Sequence, residues 1–234
     1  MEIAVDLHIH TVLSPCGHED MTPNNIVNMA CLKELDAIAI TDHNSCLNAE
    51  AVMMCAKDKN LIVIPGIEVE TVEEVHIVCL FETLEDARSM QEIIDERRLK
   101  IPLNENIFGR QLIMNHHDEI TDSVSDLLAV ATDIDIDTLY ELVRERNGLF
   151  IPAHVDRPAN GLISILGAIP ITPDIRVIEL SKNCDEQAFL TKNPRCKKYK
   201  RYKASDAHFL WDVLERECFV HAEELSVRSV LQGI

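Results

Sequence analysis

Short apolar runs, each giving way abruptly to polar side chains, recur along this chain. Ile3-Ala4-Val5 passes directly into Asp6-Leu7-His8-Ile9-His10-Thr11. Ala37-Ile38-Ala39-Ile40 ends in Thr41-Asp42-His43-Asn44, and Leu61-Ile62-Val63-Ile64 ends in Pro65-Gly66-Ile67-Glu68. Val75 to Phe81 is a fourth run, with His76 near its start. The same texture returns in Leu149-Phe150-Ile151, which leads into Pro152-Ala153-His154-Val155-Asp156-Arg157-Pro158. It returns again in Arg176 to Leu180, and in Tyr202-Lys203-Ala204 before Ser205-Asp206-Ala207-His208. Runs of this kind read as buried strands.

Helical patterns separate the first of them. Thr22-Pro23 reads as an N-cap followed by proline at the first helical position, and Ile26, Val27 and Ala30 give that helix a buried face. A second helix is expected over Leu47 to Lys59. Strand and helix in alternation predict an α/β fold with parallel pairing. Residues 83–147 differ: Leu84 to Leu99, Val124 to Ala131 and Ile136 to Asn147 read as helices, the last stopped by Gly148. Leu112 to Asp118 is ambiguous, so the stretch is expected to be a mostly helical insertion within a single domain spanning residues 1–234. A terminal helix is expected from Glu223 to Leu231.

Length and composition agree with that picture. A chain of 234 residues suits one α/β barrel, and 47% hydrophobic with 26% charged residues describes an ordinary globular protein. Aromatics are only 4%, so aliphatic side chains must fill the core. No apolar run approaches the roughly 18 residues that span a bilayer, and no basic segment followed by an apolar one opens the chain. The expectation is a cytoplasmic protein with no membrane partner. Eight scattered cysteines without Cys-x-x-Cys spacing read as reduced thiols, with Cys31, Cys55 and Cys79 expected as small core residues.

The formal net charge of -18 repels polyanions, and from it no duplex nucleic acid is expected as a partner. One basic run, Arg195-Cys196-Lys197-Lys198-Tyr199-Lys200-Arg201-Tyr202-Lys203, stands against that balance. Basic residues interleaved with tyrosines suit a nucleotide or short single strand, although many charge runs are only solvated faces. Lys203 is the residue of that run expected to contact substrate.

Histidines and carboxylates concentrate where the runs end. His8 and His10, two apart on a strand, point to one side and can share a metal. In a barrel of parallel strands the C-terminal ends open on one face, where Asp42 with His43, Glu68 with His76, His154, and Asp206 with His208 would join them. Each cluster alone has an ordinary structural reading; their repetition argues for a metal site. His116-His117 does not fit, because adjacent residues on a strand face opposite ways.

These segments, Asp6-Leu7-His8-Ile9-His10-Thr11, Thr41-Asp42-His43, Gly66-Ile67-Glu68, Val75-His76, Pro152-Ala153-His154 and Ser205-Asp206-Ala207-His208, resemble the PHP family of polymerase and histidinol phosphatase phosphoesterases. The resemblance runs from residue 2 to about residue 210 in family order. It implies a distorted (β/α)7 barrel with a trinuclear centre of manganese, iron or zinc. By that resemblance His8, His10, Glu68 and Asp206 hold one ion, and Glu68 bridges to a second held by His76 and His154. His43, His208 and one group from the loop after the first strand hold a third. Cys16-Gly17-His18 is similar to the Cys-x-His of histidinol phosphatases, which favours His18; counting from His10 favours Cys16, and Asp20 also stays open.

The chemistry follows from the cluster. Closely spaced divalent ions neutralise a phosphate ester and supply hydroxide, here expected as a bridging nucleophile. Glu68 would bridge, and Asp206 would add charge that favours hard ions. Asp42 would orient a ligand or assist proton transfer, and Arg157 would grip a phosphate with its planar fork. The expected substrate is the phosphate mono- or diester of a nucleotide or short oligonucleotide, with histidinol phosphate as the alternative. An amidohydrolase shares the opening His-x-His, but no strand-end lysine is present for a bridging carbamate. A non-catalytic metal-binding regulatory module is disfavoured because every expected ligand position is filled. Oligomeric state is left open.

Overall fold

In the computed structural model, which describes Met1 to Ile234, the opening apolar run is β1 (Glu2–Ile9). Helix α1 (Pro23–Leu32) follows, its N-cap Thr22 accepting a hydrogen bond from the Asn25 amide. Then come β2 (Ala37–Ile40), α2 (Ala49–Ala56), β3 (Ile62–Glu70), β4 (His76–Leu80) and α3 (Leu84–Arg97). The insertion contributes α4 (Glu105–Phe108), β5 (Leu112–Met114), β6 (Ile120–Ser123) and α5 (Ile136–Glu145). The chain finishes with β7 (Leu149–Pro152), α6 (Leu162–Leu166), β8 (Val177–Ser181), α7 (Glu186–Lys192), β9 (Lys200–Ala204), β10 (Phe219–His221) and α8 (Val227–Gly233).

Six strands form one curled, half-barrel sheet in the order β10-β1-β2-β3-β4-β7. The alternation inside β2 shows how it is filled: Ala37 and Ala39 join Ile3, Val5, Leu7 and Ile64 on one side, whereas Ile38 and Ile40 pack with α1 and α2 residues such as Ile26 and Val52. In β2 the small side chains face the inside of the curl and the large ones meet the helices. The parallel pair β8/β9 completes the curve. An Ile9–Ala207 bridge ties it to β1, and the Val155 amide donates to the Glu179 carbonyl.

Pairing is not parallel throughout, as the alternation predicted. β1, β2 and β3 run parallel, but β4 is antiparallel to β3, and β7 to β4. The turn between Glu70 and His76 is far too short for a parallel crossover, which takes a dozen or more residues. The reversal matters, because it brings the first residue of β4, His76, beside the last residue of β3, Glu70. A strand-start histidine thus reaches the same end of the sheet as the strand-end ligands.

Several local expectations are corrected. The insertion is not mostly helical: between α3 and α5 lie the one-turn α4, the β5/β6 hairpin and irregular chain. Val124 to Ala131 forms no helix because buried side chains take its backbone groups. Gln111 Nε2 donates to the carbonyls of Val124 and Asp126, Gln111 Oε1 accepts from the Leu128 amide, and Asn44 Nδ2 donates to the carbonyls of Leu128 and Val130. The second helix starts at Ala49 rather than Leu47, and the last starts after Ser226, whose hydroxyl caps the Ser229 amide. At the end of α5 it is Asn147 that takes the left-handed conformation, with φ 51°. Gly148 serves close packing instead, since a Cβ there would lie 2.8 Å from the Phe81 ring. All eight cysteines are free; Cys79 is buried as expected, Cys55 is half-buried and Cys31 is exposed. No helix is long and apolar enough to cross a membrane.

Candidate metal centre

His8 Nε2 and His10 Nε2 lie 3.1 Å apart at the end of β1. Two imidazole nitrogens this close cannot both present lone pairs unless a proton or cation sits between them. Glu68, on β3, faces the same point. Its Oε1 is 2.9 Å from His76 Nδ1, 3.2 Å from His154 Nε2 and 3.3 Å from His8 Nε2. Its Oε2 is 3.0 Å from His43 Nδ1 and 3.4 Å from His10 Nε2. Asp206 Oδ1 lies 3.0 Å from His10 Nε2, and the His208 ring stacks on that of His10 at 4.2 Å.

Within this cluster three overlapping groups have ligand atoms within 4.8 Å of one another: His8, His10, Glu68 and Asp206; His43, Glu68 and His76; and His10, His43 and His208. The first is the same set of four that the family resemblance implies. His154 approaches Glu68 from beside the second group. The donors fit divalent cations, because they are imidazole nitrogens and carboxylate oxygens converging in a buried space. Moreover, Glu68 Oε2, though close to His43 and His10, makes no hydrogen bond to either, and His154 Nδ1 is buried without one, a costly state for a polar atom.

A second tier of buried groups holds these side chains in place. Glu179, on β8 and fully buried, takes both its carboxylate oxygens to His8 Nδ1, at 3.0 and 3.1 Å. It also accepts from the His154 amide and the Tyr202 hydroxyl. With Nδ1–H committed to a carboxylate, Nε2 is the nitrogen His8 presents to the site. Sequence reasoning missed Glu179, although a lone glutamate inside an apolar strand end was a readable signal.

Asp42, expected to orient a ligand or assist proton transfer, touches none of the converging atoms. Its Oδ1 accepts from the Thr11 amide and the Ser14 hydroxyl, both at 2.7 Å, and Ser14 Oγ lies 2.9 Å from His10 Nδ1. Asp42 therefore orients His10 through Ser14. Asp6 fastens the segment that carries Asp206 and His208 by accepting from the Ser205 and Leu214 amides. His154 and Asp206 adopt positive φ, 29° and 51°, conformations that non-glycine residues keep only when their surroundings impose them.

The loop after β1 departs from the expectation. His18 stays outside the cluster, its ring 5.1 Å from that of Phe209 and its Nδ1 3.4 Å from Asp20. Only its amide reaches the site region, donating to the His208 carbonyl. Asp20 is exposed and points away with it. Cys16 is the loop residue whose thiol hydrogen-bonds with His208 and His43 in the balance that sets its titration. Gly17 permits the tight turn, since a Cβ there would stand 2.2 Å from the Thr11 carbonyl. Enclosure of the thiol pushes its pKa up, but His208 and His43 outweigh that and bring it down to about 6, although Cys16 as a residue is exposed.

Mutual attraction dominates the titration of the cluster. Burial opposes charge on Glu68, yet His76, His8 and His43 hold its carboxyl well below the usual carboxylate range. Asp206 is lowered likewise against its burial, by His8 and His10. Burial works against a proton on His76, but Glu68 raises it to about 9; His8 and His43 are raised for the same kind of reason. His10 goes the other way, lowered by burial and by His208 and His43.

Arg157, following β7, ion-pairs with Asp206 and stands at the mouth, its side chain 39% exposed. With Asn160 and Ala159 it lines a cavity of about 180 Å³ over the cluster. Lys203 does not reach that cavity, and its expected role in substrate contact is corrected: its ammonium donates to the carbonyls of Cys184 and Lys182. Arg201 is likewise tied, to Glu186. The rest of the basic run behaves differently. Arg157 also lines a second cavity of about 400 Å³, which shares Ile163, Lys192 and Asn193 with a third of about 850 Å³. Arg195, Lys197 and Lys198 border the third. His116 and His117 lie against each other with their rings tilted, away from the site.

The family model described as PHP domain matches residues 6–155. No curated protein matches the sequence. Among solved structures, the lesion-specific endonuclease Q of Pyrococcus furiosus superposes with a TM-score of 0.67 at 20% identity, covering 100% of this chain and 56% of that one. The chain thus spans just over half the length of that relative. Endonuclease Q in complex with a 27-mer duplex, with an abasic lesion at its active site, gives the same TM-score at 19% identity, covering 99% and 56%. A candidate metal-dependent phosphoesterase of Bifidobacterium adolescentis gives 0.61 at 18% identity, covering 98% and 96%. The duplex complex overturns the exclusion of duplex nucleic acid drawn from net charge. A whole-chain charge sum does not describe the local field at a site.

Proposed function

The chain belongs to the PHP family, and on that footing we propose that it is a metal-dependent phosphoesterase acting on phosphate esters of nucleotides or oligonucleotides. One observation carries this reading: Glu68 faces five imidazoles, from His8, His10, His43, His76 and His154, at 2.9 to 3.4 Å, with Asp206 alongside. His8, His10, Glu68 and Asp206 hold one ion; Glu68, His76 and His154 a second; His43, His208 and Cys16 a third. Cys16 replaces His18 in that set. The ions are manganese, iron or zinc, and a thiolate ligand favours zinc at the third position. Bound there, such cations neutralise phosphate oxygens and make hydroxide available from water at neutral pH.

The chain's own residues do the rest. Arg157 is at the mouth with a planar fork suited to phosphate oxygens. Glu179 and Asp42 fix which nitrogens of His8 and His10 face inward. The cavity of about 180 Å³ is below the 300 Å³ or more usual for a small-molecule site, so it takes a phosphoryl group and leaves the remainder of the substrate outside. The linked cavities beyond Arg157, bordered by Lys192, Arg195, Lys197 and Lys198, suit a polyanionic remainder. Histidinol phosphate loses the support it drew from His18. The same reading extends the curled sheet to a (β/α)7 barrel, with β1–β4 and β7–β9 as its strands.

Hydrolysis of a panel tests the activity: mononucleotides and histidinol phosphate read by free phosphate, and short single strands and a duplex with an abasic site read by strand shortening, each with manganese, iron or zinc. Hydrolysis of nucleotide or oligonucleotide esters, abolished by His10→Ala and Asp206→Ala but not by His116→Ala, is the expected result. Metal binding without hydrolysis of any substrate would sink the enzymatic reading in favour of a regulatory module.

A further inference from the structure

In a chain with 4% aromatic residues, three aromatic rings gather immediately beside the metal centre. Phe209 directly follows His208, whose ring stacks on that of His10. The rings of Phe209 and Trp211 stack at 4.8 Å with 18° between their planes. His18 completes the group, 5.1 Å from Phe209 and 6.1 Å from Trp211, and its amide is bonded to the His208 carbonyl. Trp211 is the only tryptophan in the chain and is 66% exposed.

An indole left in water beside a buried cluster gives up most of the stabilisation its burial offers. Its backbone is nevertheless well anchored: the Asp212 amide donates to the Phe209 carbonyl, and Lys33 Nζ donates to the carbonyls of Trp211 and Val213. Ring orientation is further set by the stack on Phe209. The cavity over the cluster takes little more than a phosphoryl group, so whatever that group is attached to must lie on the rim. Flat aromatic faces on a rim bind flat aromatic groups, and nucleobases stack on them without regard to sequence.

We infer that Phe209 and Trp211 form a stacking platform for the nucleobase next to the phosphate being cleaved, with His18 supporting its edge. This rests on the phosphoesterase reading of the same centre and narrows it to base-bearing esters. It also gives His18 a place outside the metal ligands.

Because Trp211 is the sole tryptophan, intrinsic fluorescence of the full chain reports on this ring alone. The zinc-loaded protein is titrated with adenosine monophosphate and, separately, with ribose 5-phosphate. Saturable quenching by the nucleotide but not by the sugar phosphate is expected; equal responses, or none, overturn the platform. In steady-state kinetics on adenosine monophosphate or an adenine dinucleotide, Trp211→Ala should raise KM about tenfold, with Trp211→Phe restoring most of it. An unchanged KM, or a loss confined to kcat, overturns it as well. The two readings fail separately. Base-dependent quenching without hydrolysis of either ester sinks the phosphoesterase and keeps the platform, whereas hydrolysis indifferent to the base does the reverse.

Discussion

Glu179 determines which nitrogen of His8 enters the centre, and it does so from outside the ligand set. Replacing it with glutamine keeps the volume but removes the charge that fixes the imidazole and raises its basicity. Glu179→Gln should leave the fold intact by circular dichroism and weaken metal binding by about 10- to 100-fold. An affinity unchanged within error would count against this role. The raised and lowered pKa values of the cluster also set a pH dependence for the metal-free protein. His76 is raised from 6.5 to about 9, so the stability it contributes is complete below about 6.5 and lost as pH rises through about 9. Glu68 and Asp206 are lowered, so theirs is present above the ordinary carboxylate range and lost on acidification. The Tm of metal-free protein should therefore fall from pH 6.5 to 9, and metal affinity should rise over the same interval as histidines give up their protons. A Tm that is flat or rising across it would contradict the assignment. At this scale the converging side chains were legible because His-x-His and Asp-x-His stand out at strand ends. Cys16 stood open beside His18 and Asp20, since which of them turns inward depends on how a glycine turns the loop, and Glu179 was readable as a lone glutamate at an apolar strand end, although its partner His8 lies on a distant strand.

Elements were legible where apolar periodicity decides them, as in β2 and β7, and illegible where side chains capture the backbone. The segment from Val124 to Ala131 has helical spacing, yet Gln111 and Asn44 satisfy its amides and carbonyls and hold it irregular. Asn44→Ala removes the donor to two buried carbonyls, those of Leu128 and Val130, and should cost about 2 kcal/mol in urea unfolding. A loss under about 0.5 kcal/mol would show that water replaces the side chain without penalty. The β3–β4 reversal was legible in principle, since a five-residue turn cannot form a parallel crossover. What it achieves for the site, bringing His76 to Glu68, needed the register of the pair.

For the whole molecule, a net charge of -18 is no ground for excluding nucleic acid, because it averages over a surface that is not uniform. Lys192, Arg195, Lys197 and Lys198 border cavities continuous with Arg157, while Arg201 and Lys203 are spent on internal contacts. Oligonucleotide affinity should accordingly fall as salt rises, and Lys197→Glu with Lys198→Glu should flatten that slope. An unchanged slope would place the nucleic-acid path elsewhere. The side chains of the centre converge on Glu68. Metal content per chain, measured by elemental analysis after reconstitution with manganese, iron or zinc, tests that convergence most directly. The predicted result is about three ions, one for each of the three proposed ligand sets, with loss of more than one on Glu68→Gln. Fewer than two ions in the unmodified protein would contradict it.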